Sequence, residues 1–400
     1  MTLQGKTIIL GVTGGIAVYK AVELLRLLTK AGATVHVVMT KAATGFVTPL
    51  TFQTLSNNPV HTELFSLIQE QEIGHISLAD RADALVIAPA TANCIAKLAG
   101  GIADDLLTTT VLATKAPILL APAMNVNMYE HPLYQENEQR LRRIGYHFVD
   151  PGQGELACGW LGKGRLARPE LIFDELCQLL APQDLAGQTI LVTAGPTREE
   201  LDPIRFISNH SSGRMGYALA RAARQRGARV ILVSGPVSLQ PPAGVELVNV
   251  ESACQMREAV LQRVGGCTVV IKAAAVADYR PVVRTEQKIK KQGERLTIEL
   301  ERNPDILAEL GQRAIRPLLV GFAAETADLQ AHAAAKLTAK NLDMIVGNDV
   351  TQEGAGFNVG TNLAQLLFRD GQLESLELMS KAALADLILD RVLTLLSQRP

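Results

Sequence analysis

The sequence predicts two successive α/β domains, each built on a mostly parallel sheet, and three observations carry that prediction. Short apolar runs alternate with stretches of helical period through residues 7–180, the pattern of a doubly wound domain. The pattern pauses at residues 181–187, a plausible linker, and then restarts. The chain has 400 residues, more than one core usually spans. The expected domains are residues 1–181 and 188–400.

Residues 7–12 are β-rich, and residues 17–29 place Val18, Ala21, Val22, Leu25 and Leu28 at helical spacing. Gly32 stops that helix. Residues 34–39 form the next strand, followed by a turn at Thr40. Residues 84–88 and 117–121 are continuous apolar runs, as expected of strands buried on both faces. Both end in a proline and a small-residue turn with an asparagine: Ile87-Ala88-Pro89-Ala90-Thr91-Ala92-Asn93 and Leu120-Ala121-Pro122-Ala123-Met124-Asn125. Ligands of open parallel sheets sit beyond the carboxyl ends of strands. Two such endings therefore imply a shared cleft, although Pro and Asn also serve ordinary turns.

Gly14-Gly15 lies between the first strand and its helix, where glycine permits close backbone approach and the helix N-terminus suits a phosphate. Its spacing is not the dinucleotide fingerprint G-x-G-x-x-G. Gly152-Gln153-Gly154-Glu155-Leu156-Ala157 fits better by letter but runs on into Cys158-Gly159-Trp160-Leu161-Gly162-Lys163-Gly164. No helix starts in so many glycines, and Gly162-Lys163 lacks the flanking residues of a P-loop. The segment reads as a mobile glycine-rich flap carrying Cys158. Residues 169–180 form an amphipathic helix.

In the second half, residues 189–193 form a strand and 194–212 a long polar loop. Residues 213–226 form a helix with Ser211 or Ser212 as N-cap. Strands follow at 229–234, 268–273, 318–322 and 344–346. A late hairpin pairs 363–368 with 373–377, and a last helix begins near Ser380. There is no close internal repeat of the first half.

Composition narrows the function classes. Hydrophobic residues are 48% and charged residues 20%, as in soluble globular proteins. A net charge of -1 gives no overall attraction to nucleic acid or a membrane surface. Five cysteines, an odd number without metal-ligand spacing, point to a reducing cytoplasm. Cys94, Cys177, Cys254 and Cys267 read as packing residues. There is no signal-peptide pattern and no apolar run of membrane-spanning length.

Five motifs in each half carry a resemblance that covers nearly the whole chain. Gly11–Lys20 (Gly-x-Thr-Gly-Gly-Ile-Ala-x-Tyr-Lys), His75, Pro-Ala-Thr-Ala-Asn at 89–93, Pro-Ala-Met-Asn-x-x-Met at 122–128 and Cys158 resemble the flavin-dependent cysteine decarboxylases. Ser-Asn-His-Ser-Ser-Gly at 208–213, Ala-Ala-Val-Ala-Asp-Tyr-Arg at 274–280, Lys-Ile-Lys-Lys at 288–291, Asn-Pro-Asp-Ile at 303–306 and Gly-Phe-Ala-Ala-Glu-Thr at 321–326 resemble phosphopantothenate–cysteine ligase. In this order they resemble the bacterial bifunctional proteins of coenzyme A synthesis. The resemblance implies a flavodoxin-like, Rossmann-like flavoprotein domain followed by a Rossmann-like ligase domain.

For the first half it implies decarboxylation of 4'-phosphopantothenoylcysteine to 4'-phosphopantetheine, with FMN oxidising the thiol carbon so that loss of CO₂ leaves a delocalised charge. FMN would meet Gly14, Gly15, Ile16, Thr40, Ala90, Thr91, Ala92 and Asn93. His75 would be the base, although a lone histidine before a helix serves structure as readily. Asn125 would bind the substrate carboxylate. Cys158 would donate a proton once the flap closes.

For the second half it implies joining of 4'-phosphopantothenate to cysteine through an acyl-cytidylate made from CTP. The nucleotide would meet Ala273, Ala274, Ala275, Asp278, Lys288, Pro304, Asp305, Ile306, Leu307, Phe322, Lys336 and Lys340. Lys288 would stabilise transition-state charge and Asn209 would orient the acyl-cytidylate. Mg²⁺ would accompany CTP, its protein ligands unidentified. Lys288, Lys290 and Lys291 also fit a solvated loop. Arg214 stands where the resemblance leads one to expect Lys. The implied assembly is a large homo-oligomer, with trimers of the flavin half and dimers of the ligase half, up to a dodecamer. Two rivals stay open: a nicotinamide-dependent oxidoreductase, and a non-catalytic flavoprotein regulator.

Overall fold

The computed structural model describes residues 3–64, 74–155, 159–290, 294, 296–325, 329–349 and 359–399. It divides into two compact units, Met1–Ala181 and Pro182–Pro400.

The first unit runs β1 Thr7–Val12, α1 Val18–Lys30, β2 Thr34–Met39, α2 Pro49–Ser56, β3 Val60–His61, α3 Gly74–Arg81, β4 Ala84–Ala90, α4 Ala92–Gly100, α5 Leu106–Ala113, β5 Ile118–Pro122, α6 Val126–Glu130, α7 Pro132–Arg143, β6 His147–Phe148, β7 Gly152–Glu155, β8 Leu161–Arg165 and α8 Pro169–Leu180. Six strands pair in the order β3-β2-β1-β4-β5-β6, all parallel. Strand period sends Ile8, Leu10 and Val12 to one face, against α1, α2 and α8. Ile9, Leu85 and Ile87 go to the other, against α4, α5 and α7. The sequence expectation of strands buried on both faces holds for β4 and β5, which are buried throughout.

The second unit runs β9 Thr189–Ala194, β10 Arg198–Glu200, β11 Phe206–Ser208, α9 Arg214–Gln225, β12 Arg229–Ser234, β13 Glu246–Asn249, α10 Ala253–Arg263, β14 Val269–Lys272, β15 Tyr279–Pro281, β16 Leu300–Arg302, α11 Ile306–Gly311, β17 Leu318–Glu325, α12 Leu329–Ala339, β18 Met344–Asp349, β19 Thr361–Asn362, β20 Ala364–Phe368, β21 Leu373–Ser375, β22 Met379–Ser380 and α13 Lys381–Ser397. Its sheet has eight strands in the order β13-β12-β9-β14-β17-β18-β20-β21. The pairing is parallel as far as β18 and antiparallel from there. Helices α9 and α13 cover one face, and α10, α11 and α12 the other.

Three expectations are corrected. Residues 194–212 are not one loop: β10 and β11 pair antiparallel within them. Neither Ser211 nor Ser212 is the N-cap of α9; Gly213 holds that place at φ 75°, in the left-handed region. The Ser211 hydroxyl instead accepts from the Gly213 N–H. Cys254 is exposed rather than packed, while Cys94 and Cys177 are buried. No described helix is long and apolar enough to cross a membrane.

The chain's end is fastened by Asp343. Its carboxylate accepts from Arg316, from Arg399 and from the Leu319 N–H. Burial acts to raise its pKa, but the Arg316 and Leu319 hydrogen bonds and the two guanidinium charges hold it below the usual carboxylate range. A depressed carboxylate contributes stability above its unfolded value, and that stability is lost as pH falls through the folded one. Replacing Asp343 with Ala leaves the largely buried Arg316 side chain without its carboxylate, and is expected to cost ~3 kcal/mol. Urea unfolding of the full chain measures it, and the deficit should shrink in acid.

Candidate active sites

In the first unit the chain returns across the sheet between β1 and β4, the place where a doubly wound sheet opens a crevice. The endings of β1, β4 and β5 meet there. Thr13 Oγ1 donates to the Pro89 carbonyl (2.7 Å) and accepts from the Thr91 N–H (3.0 Å). Ala123 N–H donates to the Ala90 carbonyl (3.1 Å). The Ala88–Pro89 peptide is cis. Thr91 Oγ1 caps α4 by accepting from Cys94 N–H, and Asn125 Oδ1 caps α6 by accepting from Asn127 N–H. The cleft so formed has a volume of about 1110 Å³, at the large end for small-molecule pockets.

The two proline endings do share one cleft. Gly14, Gly15, Ile16, Thr40, Thr91, Ala92, Asn93 and Asn125 line it; Ala90 is fully buried behind them. A Cβ on Gly14 would lie 2.4 Å from Ala42 Cβ and 2.7 Å from its carbonyl carbon, so only glycine lets these two turns touch. The turn leads into α1, whose N-terminus has no side-chain cap. A helix N-terminus, small side chains and neutral hydroxyl and amide groups fit a flat ring with a phosphate tail.

The glycine-rich segment is an antiparallel hairpin, β7 with β8. Its glycines have a packing reason: Cβ atoms on Gly162 and Gly164 would meet Val126 Cγ2 at 2.5 Å and the Met124 carbonyl at 2.3 Å. Met124 N–H donates to the Gly164 carbonyl (2.9 Å), fastening the hairpin beside Asn125. Cys158 lies outside the described residues, as do Lys291 and Thr326. His75 sits half-buried in the first turn of α3, and it is not among the residues lining the cleft. Lys20, the last residue of the Gly11–Lys20 motif, and Arg165 do line it, and sequence reasoning gave neither a role. Lys20 Nζ donates to the Leu166 carbonyl (3.1 Å). Burial lowers its pKa, and Arg165 adds to the effect.

In the second unit the order reverses between β9 and β14. The chain leaving β14 is sewn to the end of β9: Ala274 N–H donates to Thr193 Oγ1 (3.2 Å), Ala275 N–H to the Gly195 carbonyl (2.9 Å) and Ala277 N–H to Thr197 Oγ1 (3.0 Å). A cleft of about 390 Å³ lies beyond it. It brings together Asp278, Pro304, Asp305, Ile306 and Lys340 from the expected set. Asp305 caps α11 through Ala308 N–H and pairs with Lys340 Nζ at 2.9 Å. Ala273 and Phe322 pack on the α9–α13 side of the sheet instead. Ala274 and Leu307 are buried on the α11–α12 side. Lys336 lies on α12 and Lys340 one residue past its end. Asn209 is exposed and donates to the Ala275 carbonyl (3.3 Å). Lys288 is exposed on the segment between β15 and β16, outside the cleft lining.

Lys272 is the residue of this cleft that sequence reasoning passed over. It ends the apolar run Val-Val-Ile, and a charge closing a buried strand was the signal available. Burial pushes its ammonium down to about 8, with the Lys340 cation adding to the effect and Asp305 and Asp278 opposing it. Among the described residues no group of three or more His, Cys, Asp and Glu side chains could hold a metal ion.

The Gly14 contact makes a stability prediction. Gly14→Ala must push the 40–42 turn away and is expected to cost ~1–3 kcal/mol, the scale of overpacking. Gly15→Ala should be near neutral, because its Cβ meets nothing closer than Thr91 Cγ2 at 3.9 Å. Thermal unfolding of the two variants distinguishes them.

Comparison with known proteins agrees with this division. Residues 1–181 match the family model described as Flavoprotein. Residues 185–396 match that of the DNA/pantothenate metabolism flavoprotein C-terminal domain. The coenzyme A biosynthesis bifunctional protein CoaBC of Bacillus subtilis is 51% identical over 400 residues, covering 99% of this chain and 98% of its own. That of Vibrio cholerae is 51% identical over 391 residues, covering 97% and 98%. The crystal structure of a CoaBC C-terminal domain is 45% identical, with TM-score 0.48, covering 54% of this chain and all of that one. The chain belongs to the family of coenzyme A biosynthesis bifunctional proteins, with a flavoprotein domain followed by a ligase-type domain.

Proposed function

We propose that this chain performs two consecutive steps of coenzyme A synthesis. The second unit joins 4'-phosphopantothenate to cysteine using CTP, and the first decarboxylates the product to 4'-phosphopantetheine. The observation that carries the reading is the pair of clefts, one at the reversal point of the first sheet and one beyond the carboxyl end of β14 in the second, each lined by residues from its own motif set.

In the first cleft bound FMN supplies the two-electron chemistry at the thiol carbon. The Gly14-Gly15 turn and the α1 N-terminus would hold its phosphate, and Thr40, Thr91, Ala92 and Asn93, which line the same cleft, would complete its site. Asn125 hydrogen-bonds the substrate carboxylate as a neutral donor, leaving CO₂ free to depart. Cys158 returns a proton at the end. His75 takes a proton at the start, and its place away from the cleft lining favours delivery by a neighbouring copy of the chain.

In the second cleft Asp278, Asp305 and Lys340 would receive the nucleotide, and Mg²⁺ would neutralise part of the triphosphate charge. Lys288 closes over the reacting carboxyl and phosphoryl oxygens, and Asn209 orients the acyl-cytidylate for attack by the cysteine amine. Lys272 adds a cation at the cleft floor.

Three measurements test this reading. Chains carrying His75→Asn and chains carrying Asn125→Asp should each release no CO₂ from phosphopantothenoylcysteine, while co-expressed mixtures regain part of the activity. No recovery assigns both groups to one chain. Lys288→Gln should lower CTP-dependent ligation by ~100-fold and leave decarboxylation unchanged; near-normal ligation returns Lys288 to a solvated loop. Lys272 is charged below about pH 8 and neutral above it, so CTP affinity should weaken as pH rises through that value. Lys272→Met should bind CTP more weakly at pH 7 and lose that step, as read by calorimetric titration.

A further inference from the structure

The carboxylate of Asp202 is fully buried within the turn joining β10 to β11. Its Oδ1 accepts from the Ile204 and Arg205 N–H groups, both at 2.8 Å. Those two bonds complete the turn, and an asparagine would make them equally well. The second oxygen does something else. Oδ2 accepts from the Ile289 N–H (3.1 Å), 87 residues away in sequence. Its other neighbour is the half-exposed Arg205 guanidinium, at 3.7 Å.

Ile289 is half-buried, and both its neighbours, Lys288 and Lys290, are exposed. Two further ties run alongside. The Thr285 N–H and Oγ1 both donate to the Leu201 carbonyl (3.0 and 3.2 Å), and Arg284 pairs with Glu200 at 2.6 Å. That ion pair is exposed and contributes little. The buried carboxylate is therefore the strongest fastening of the segment that carries Lys288. The same turn feeds β11, which ends at Ser208, one residue before Asn209. Ser208 Oγ donates to the Thr197 carbonyl (2.7 Å), holding that strand in place.

We propose that Asp202 is a positioning residue of the ligation reaction: its second carboxylate oxygen latches the Ile289 amide and thereby sets Lys288 relative to Asn209. This rests on the role given to Lys288 above. The latch is charged under working conditions. Burial acts to raise the Asp202 pKa, but the Ile204, Ile289 and Arg205 N–H donors hold it below the usual carboxylate range.

The test separates the turn from the latch. Asp202→Asn keeps an acceptor for the turn and turns an NH₂ toward the Ile289 N–H. In the full-length protein the ligation kcat should fall at least ~10-fold, the scale of a misplaced catalytic group. The KM for CTP and decarboxylation should hold. In a Lys288→Gln background the same change should cost less than ~2-fold, because a residue acting only through another has nothing left to position. Hydrogen exchange of residues 285–290 should quicken. Thr285→Val, which removes the parallel hydroxyl tie, should move ligation and exchange in the same direction by less, and it carries the test if Asp202→Asn folds poorly. Unchanged exchange at 285–290 overturns the latch itself. An equal loss of ligation in both backgrounds overturns action through Lys288. Normal ligation by Lys288→Gln overturns the catalytic reading of Lys288, and this proposal with it.

Discussion

Both clefts depend on one constraint: where neighbouring parallel strands send their connections to opposite faces of a sheet, their last backbone groups must find partners locally. In the first unit Thr13 meets the need, bonding to the Pro89 carbonyl and the Thr91 N–H. In the second, Thr193, Gly195 and Thr197 take the N–H groups of the chain leaving β14. Buried backbone groups left unpaired are costly, so these ties fix the cleft walls before any ligand arrives. Small hydroxyl side chains suit the task because they bond without filling the crevice.

Close approach is the second determinant of the first cleft. Gly14 lets the turn after β1 lie on Ala42, and Gly162 and Gly164 let the β8 hairpin lie on Met124 and Val126. The turn after β1 is thus held against the segment that follows β2, and the glycine-rich hairpin against the segment that follows β5. The glycines that read as freedom in the sequence act at these positions as tight packing.

Charge is handled differently in the two units. The first cleft is bordered mostly by neutral groups, with Lys41, Lys97, Asp105 and Arg165 also in its lining and with Lys20, whose charge burial disfavours. The second gathers Lys272, Lys340, Asp305 and Asp278, and burial lowers the Lys272 ammonium to about 8. A cation held at a disadvantage by burial and like charge gains most when an anion comes beside it, which suits a polyphosphate. The Asp202 carboxylate, outside that cleft's lining, is held by three backbone donors with the Arg205 guanidinium beside it.

Alternation of strand and helix determined the two α/β units, and the continuous apolar runs of β4 and β5 determined their burial, because both are local properties of period and composition. The proline–asparagine endings pointed to the first cleft because there are two of them in one half, each closing a buried strand. The cap of α9 and the β10–β11 hairpin were not legible: Gly213 adopts its conformation beside Gly195 and Val237, and short strands in polar sequence show little period. Separation of His75 from the cleft, the division of Ala273 and Phe322 from Ala274 and Leu307 across the sheet, and the bond from Ile289 to Asp202 were decided by tertiary structure alone. Each depends on which face or which distant turn the chain returns to, and no spacing within the sequence encodes that.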